Sequence, residues 1–357
     1  MRPAAIYHRL YSAANYRLRT FAGGRWAGHC RPTGITFLLT DRCNSRCVHC
    51  DIWKHKGRDE GLAADEWKAA LRNLREWLGP VHVVLSGGEA LLRPYTLDLL
   101  EYGSKLGLLT ELLTHGYWED QSRIERAARA RPWRITLSLD GIGETHDRIR
   151  GRPHFFERTM RSIETLKRVR REEGLNFTIR LKTVLMSYNL EDARELARLA
   201  TQPGMEIVFQ PIEQNYASDE DPEWHQHTEN WPRDAERAVR VVEQLKAMKR
   251  EGYAIGNSMA QLEVMIPYFR DPDPWRIATQ SHSAADKGGW LCAALTTLQV
   301  RSNGDVVVCF SAPPIGNLRE STLRAIWEAR PHWWVSGCCR ERRYTEAERA
   351  RVVELAR

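Results

Sequence analysis

The sequence predicts an α/β protein: a partial (β/α)6 barrel followed by a small C-terminal module. Short β-branched runs alternate with amphipathic helical stretches through the first two thirds of the chain. The alternation stops after residue 252, where Asn303-Gly304 marks a hairpin between 295–301 and 305–309. The eight cysteines, at 30, 43, 47, 50, 292, 309, 338 and 339, gather at two places far apart in the chain.

Residues 1–32 form a helical lead. Strands are expected at 35–40, 81–86, 109–114, 134–139, 177–186 and 206–212, and helices at about 63–77, 94–106, 119–130, 155–172, 189–201 and 233–251. The last helix shows its period in Ala238, Val241, Val242, Leu245 and Met248. Strands alternating with helices make a parallel sheet, and six units over residues 33–252 fit one curved sheet better than two domains. Residues 253–357 form the appended module.

Composition narrows the class. With 42% hydrophobic and 28% charged residues, the chain is an ordinary globular protein. No apolar run approaches the length of a membrane span, and Arg9, Arg17 and Arg19 interrupt the N-terminal stretch. A cytoplasmic location without membrane partners is therefore expected. The densest basic stretch, 148–171, interleaves Arg with Glu157 and Glu164 at helical spacing, so it reads as a solvated helix face and predicts no nucleic-acid partner. In a reducing compartment, clustered cysteines point to metal or catalysis rather than disulfides.

The first strand runs into Cys43-Asn44-Ser45-Arg46-Cys47-Val48-His49-Cys50. Three thiolates on one loop wrap a corner of a metal centre. Zinc would have to borrow Cys30 or His49 as a fourth ligand, whereas a four-iron cluster accepts three cysteines and leaves one iron for a small molecule. Spacing alone leaves both open. The second strand ends in Ser86-Gly87-Gly88-Glu89, which opens on the same face of a parallel barrel. Its glycines admit a ligand to the backbone, and Glu89 offers a carboxylate to an amino group.

Together these motifs resemble the radical S-adenosylmethionine (SAM) superfamily, over roughly residues 33–212. The resemblance implies a TIM-like partial barrel and a SAM-binding [4Fe-4S] cluster on Cys43, Cys47 and Cys50, the catalytic centre. It also implies SAM contacts from Ser86, Gly87, Gly88 and Glu89. Ser138-Leu139-Asp140-Gly141, followed by His146-Asp147 and Arg150-Gly151, resembles the family's fourth-strand segment, where a serine often contacts the ribose. Thr114, Asp140, Arg180 and Lys182 fall where SAM or substrate lies, and His49 takes the usually aromatic place beside the adenine. In such enzymes an electron donor such as flavodoxin or ferredoxin reduces the cluster. Cleaved SAM then yields a 5′-deoxyadenosyl radical that removes a hydrogen atom from the substrate.

The second cysteine group resembles the shortened, twitch form of the SPASM extension, a small α+β domain. There Cys292, Cys309, Cys338 and Cys339 would bind a second, auxiliary [4Fe-4S] cluster, with Trp333-Trp334 as its shield. Cys338 and Cys339 depart from the pattern by being adjacent, so one is a ligand and the other free, or an external ligand completes the site. The 42 residues before Cys43 are too few for a winged-helix leader-binding domain, which points to a small biosynthetic intermediate as substrate, with a peptide as the alternative. An auxiliary cluster suits net oxidation in natural-product biosynthesis, because it accepts the electron left on a substrate radical. The competing readings are an epimerase with Cys30 or an unligated Cys338 or Cys339 as hydrogen donor, a peptide-crosslinking enzyme, and a non-catalytic iron–sulfur or zinc module.

Residues 213–231 hold six carboxylates, no Lys or Arg, and Trp224, His225, His227 and Trp231. This long aperiodic stretch reads either as an active-site lid for a cationic or polyhydroxylated group or as a solvated loop. Arg93, Arg180 and Lys182 are candidates for a substrate anion or for salt bridges.

Overall fold

The structure, a computed structural model, describes residues 3–20, 27–54, 61–219, 221, 223–272, 296–309 and 313–330. Helix α1 (Pro3–Thr20) leads into β1 (Gly34–Leu38), which buries Ile35 and Phe37 on one face and turns Thr36 and Leu38 to the other. The apolar face meets α2 (Ala64–Leu78), whose Trp67, Ala70, Leu71, Leu74 and Leu78 recur at helical spacing and are all buried. The Phe37 and Trp67 rings lie 5.1 Å apart at that contact.

The pattern then repeats through β2 (His82–Ser86), α3 (Thr96–Lys105), β3 (Leu109–Thr114), α4 (Ser122–Arg129) and β4 (Arg134–Ser138). It continues with α5 (Glu144–Arg150), α6 (Phe155–Glu172), β5 (Thr178–Leu185), α7 (Ala193–Ala200), β6 (Met205–Pro211), the short α8 (Trp224–His227) and α9 (Ala235–Arg250). The residues predicted to face the core from α9 are all buried, and Asp234 caps the helix by accepting from the Arg237 N–H at 2.9 Å. Strands β1 to β6 are parallel neighbours in chain order, as a partial barrel requires.

Helix α5 was not anticipated: at seven residues it is too short to show a period, and Gly151 ends it in the left-handed conformation at φ 71°. After α9 come α10 (Met259–Glu263) and α11 (Met265–Arg270), also unforeseen, although Ser258 and Gln261 form the capping box that opens α10. The edge of β6 is covered by the segment between α9 and α10. Asn257 imitates a strand there, accepting from Phe209 N–H and donating to Phe209 C=O, both at 2.8 Å.

The C-terminal hairpin forms as expected from β7 (Thr297–Val300) and β8 (Asp305–Val307), with Gly304 at φ 94° in the turn. It extends the barrel sheet itself, because β7 pairs parallel with β1 from Gly34↔Thr297 to Phe37↔Val300. With β9 (Gly316–Asn317) the sheet order is β6-β5-β4-β3-β2-β1-β7-β8-β9. Helix α12 (Leu323–Glu328) follows and buries Trp327, whose indole N–H donates to the Cys30 carbonyl at 3.0 Å.

Inside the barrel, the N-terminal ends of the strands are closed by charge. Glu111 accepts from His82 at 2.8 Å, Arg134 at 3.1 Å and Thr136 at 2.5 Å, and Arg180 pairs with Glu206 at 2.7 Å. Burial alone would raise the Glu111 carboxyl, but the His82 hydrogen bond and the Arg134 charge hold it well below the usual carboxylate range. Helix α1 lies against this floor through the His8 ring, 5.9 Å from that of His82. The opposite, C-terminal ends of the strands carry the cysteine loop. Among the described residues no helix is long and apolar enough to cross a membrane.

Candidate functional site

The cysteine loop is seated on the turn after β2. Gly88 N–H donates to the Thr40 carbonyl at 2.7 Å, and Glu89 N–H to the Arg42 carbonyl at 2.9 Å. A Cβ on Gly87, at φ 139°, would stand 2.4 Å from the Thr40 oxygen, and one on Gly88 2.5 Å from the Arg42 oxygen. The close approach these glycines permit is therefore that of the chain's own backbone.

Glu89 is buried, and its carboxylate joins three elements. It accepts from Leu91 N–H at 3.0 Å, Thr114 O–H at 2.8 Å and His115 N–H at 2.9 Å. Burial pushes its pKa up to about 7, against those hydrogen bonds. His115 carries the link onward. Its Nδ1 accepts from Tyr117 N–H at 2.9 Å, so Nε2 bears the proton and donates to Asn44 Oδ1 at 2.7 Å, beside Cys43. Burial keeps this imidazole neutral by holding its pKa well down.

Each of the three loop thiols has a donor. Cys43 Sγ accepts from Ser45 N–H at 3.4 Å, and Cys50 from Ile52 N–H. Cys47, the most buried of the three, has the Ser45 hydroxyl at 3.0 Å and an Arg150 guanidinium N–H at 3.5 Å. Burial pushes the Cys43 and Cys50 thiols up to about 12 and about 11, so both need a bound cation to remain thiolates. Among the described residues, no three His, Cys, Asp or Glu side chains converge as a single metal ion would require. Cys30 cannot join them. It precedes β1, at the end of the strand opposite the loop, and its Sγ donates to the Asn15 carbonyl at 3.6 Å. Three separated thiols on one loop, one buried and two half-buried, fit a cluster whose irons each take one cysteine.

The other expected contacts divide. Asp140 is fully buried at the end of β4, ion-paired with Arg150 at 2.5 Å and accepting from Val184 N–H at 2.8 Å. Ser86 and Thr114 also stand at the C-terminal strand ends, where Thr114 is held by Glu89. His49 lies half-buried, its Nδ1 has no hydrogen-bond partner among the described residues, and burial lowers its pKa to about 4. Ser138 pairs in register with Lys182 on the half-buried, inner face of β4 and β5. Arg180 lies on that face too, but it belongs to the floor, where Glu206 holds it. Arg93 stacks 5.9 Å over the Tyr95 ring.

Residues 213–231 brace the loop. Asp51 N–H donates to the Tyr216 carbonyl at 2.8 Å, and the Asn215 and Asn230 amides reach the Val48 carbonyl at 3.2 and 2.8 Å. Trp224 and Trp231 are buried edge to face at 5.5 Å, while His227 bonds Asp221 at 2.8 Å, so His225 and His227 do not form a metal pair. Between this segment and the loop lies an open cavity of about 480 Å³, lined by Asp51, Lys54, Asn215, Asp219 and Asp221 among others.

The sequence offered no role for Ser45, Asn44 or His115, and it placed His146 and Arg150 only in the segment that resembles the family's fourth strand, without the contacts they make here. Cys309 lies half-buried just after β8. Cys292, Cys338, Cys339, Trp333 and Trp334 lie outside the described residues.

Residues 37–200 match the sequence profile of the radical SAM superfamily, and residues 292–348 that of the iron–sulfur cluster-binding SPASM domain. The chain is 31% identical over 307 residues to an AdoMet-dependent heme synthase of Methanosarcina barkeri, covering 83% of this chain and 82% of that one. It is 27% identical over 325 residues to a PqqA peptide cyclase of Methylocella silvestris, covering 87% and 79%. In structure it resembles Streptococcus suis SuiB bound to S-adenosylmethionine, with a TM-score of 0.62 at 17% identity over 84% of this chain and 66% of SuiB.

Proposed function

Because the chain belongs to the radical SAM superfamily and carries a SPASM iron–sulfur domain, we propose that it oxidises a small, polar biosynthetic intermediate inside its barrel. When bound, the cluster on Cys43, Cys47 and Cys50 supplies the electron that opens SAM to a 5′-deoxyadenosyl radical.

The observation that carries the reading is the arrangement of the inner face. The charged floor of Glu111, Arg134, Arg180 and Glu206 closes one end of the barrel to substrate, and the cysteine loop lies at the other. Above the floor, Lys182 faces inward with no ion pair among the described residues, near enough to Glu213 and Asp140 to feel their charge. Glu213 follows β6 near Lys182, and surrounding protein raises its carboxyl pKa while the Lys182 charge opposes the shift. Such a chamber orients a small polar molecule and keeps water from the reacting carbon.

The supporting role of this chain is positional. Glu89, His115 and Asn44 fix the loop, and Ser86, Ser138, Asp140 and His49 are the residues assigned here to SAM. The test is isotopic. A substrate deuterated at the reacting carbon should deliver its label to 5′-deoxyadenosine and emerge lighter by two hydrogens. Labelled 5′-deoxyadenosine with a product that differs from the substrate only in carrying hydrogen where the deuterium was would replace oxidation by epimerisation.

A second reading, peptide modification, draws on the PqqA peptide cyclase relative and on the open cavity of about 480 Å³ lined by Asp51, next to Cys50 in the chain. It expects saturable binding of a precursor peptide that weakens on Asp219→Asn and Asp221→Asn substitution.

A further inference from the structure

We propose that Arg150, together with Ser45, sets the reduction potential of the SAM-binding cluster by donating hydrogen bonds to the sulfur of Cys47. Two of the four donors to the loop thiols, those to Cys43 and Cys50, are backbone N–H groups that a side-chain exchange leaves in place. Cys47 is different: the Ser45 hydroxyl stands at 3.0 Å and Arg150 Nη1 at 3.5 Å from its Sγ. The adjustable part of the environment is concentrated on one sulfur.

Arg150 is built for the task. Its Nη2 is ion-paired with Asp140 at 2.5 Å, and Asp140 is in turn fixed by Val184 N–H at 2.8 Å. The planar fork thus points Nη1 at Cys47 while Nη2 is anchored, which a lysine ammonium cannot reproduce. The main chain of the same residue grips the loop, since its carbonyl accepts from Arg46 N–H at 3.2 Å and from the Ser45 hydroxyl at 3.0 Å. The next residue, Gly151 at φ 71°, has no room for a Cβ, which would stand 2.3 Å from the Arg46 oxygen.

Ser45 has one hydroxyl proton and two acceptors within reach. While Cys47 is a thiol, its own proton can go to Ser45 Oγ, leaving the hydroxyl to donate to the Arg150 carbonyl. A ligating thiolate has no proton to give, so the hydroxyl turns to Sγ, and the Arg150 carbonyl keeps Arg46 N–H. Both donors then stabilise negative charge on this sulfur. That charge grows on reduction, so the donors favour the reduced cluster and raise its potential.

The test uses the full chain, reconstituted without oxygen, as Ser45→Ala and Arg150→Lys variants. Midpoints are read by reductive titration of the electron paramagnetic resonance signal that SAM addition perturbs, which separates this cluster from any auxiliary one. Both variants should shift the midpoint to more negative values at unchanged iron content. Arg150→Lys should shift it by at least about 59 mV, a tenfold fall in the one-electron reduction equilibrium. Unchanged midpoints in iron-loaded variants overturn the proposal. If Arg150→Lys fails to take up iron, Ser45→Ala decides alone: a negative shift supports the proposal and none refutes it.

Discussion

A Cβ on Gly88 would stand 2.5 Å from the carbonyl oxygen of Arg42, the residue before the first cysteine of the loop. The contact is backbone to backbone, so neither side can swing away. Gly88→Ala should therefore displace the loop, cost about 1–3 kcal/mol and sharply lower the iron bound per chain. Gly174→Ala, at φ 59° with nothing within 4 Å, should cost only about 1 kcal/mol and keep full iron. Iron assay and thermal unfolding of the pair check this; equal iron losses would show that the seat on Gly88 is not what holds the loop.

Glu89 ties Leu91, Thr114 and His115 to one carboxylate. Glu89→Gln turns an amide N–H₂ toward one of these donors and should lower stability by about 1–3 kcal/mol. The folded-state pKa, raised to about 7 by burial, means the folded chain holds this proton longer than the unfolded one. Glu89 therefore makes stability fall as pH rises from its ordinary value of 4.5 to about 7, by about 1.4 kcal/mol per unit. The Gln variant lacks this contribution, so its deficit should narrow across that window in cofactor-free protein, as read by urea unfolding. A constant deficit would contradict the assignment.

His146 behaves in the opposite sense. Its Nδ1 accepts the Asp140 N–H at 3.0 Å, its buried Nε2 has no partner among the described residues, and burial lowers its pKa to about 3. Below 6.5 the unfolded chain takes up this proton and the folded chain does not, so stability is lost on acidification from about 6.5 toward 3. His146→Asn keeps an acceptor near the Asp140 N–H but cannot titrate. It should be less stable at pH 7 and show a shallower loss between pH 6.5 and 5, by about 1.4 kcal/mol per unit.

Cys30 lies at the end of β1 remote from the loop, beside Asn15 and the Trp327 indole. Cys30→Ala should leave iron content, SAM cleavage and product yield unchanged while costing about 1–2 kcal/mol of stability. Loss of turnover with retained substrate-radical formation would instead make Cys30 a hydrogen donor.

The six strands and their long covering helices were legible because periodicity reports burial, and the described strands match the apolar runs within a residue or two. The cysteine loop was legible because its ligand types are rare and closely spaced. What escaped were contacts between distant segments. Arg150 and Cys47 are more than a hundred residues apart, and the resemblance that marks Arg150-Gly151 does not show that its guanidinium is buried against a cysteine. The Gly-Gly step was read as room for a ligand, because a sequence shows that space is needed without showing who occupies it. Residues 213–231, with no period of their own, gave no sign that Asn215 and Asn230 hold the loop from outside.

The most direct test of the central claim is reductive SAM cleavage. The reconstituted, reduced holoenzyme should convert SAM to 5′-deoxyadenosine, and Cys47→Ala should abolish this. A sample that carries its full iron complement, is reduced, and yields no 5′-deoxyadenosine would contradict the account.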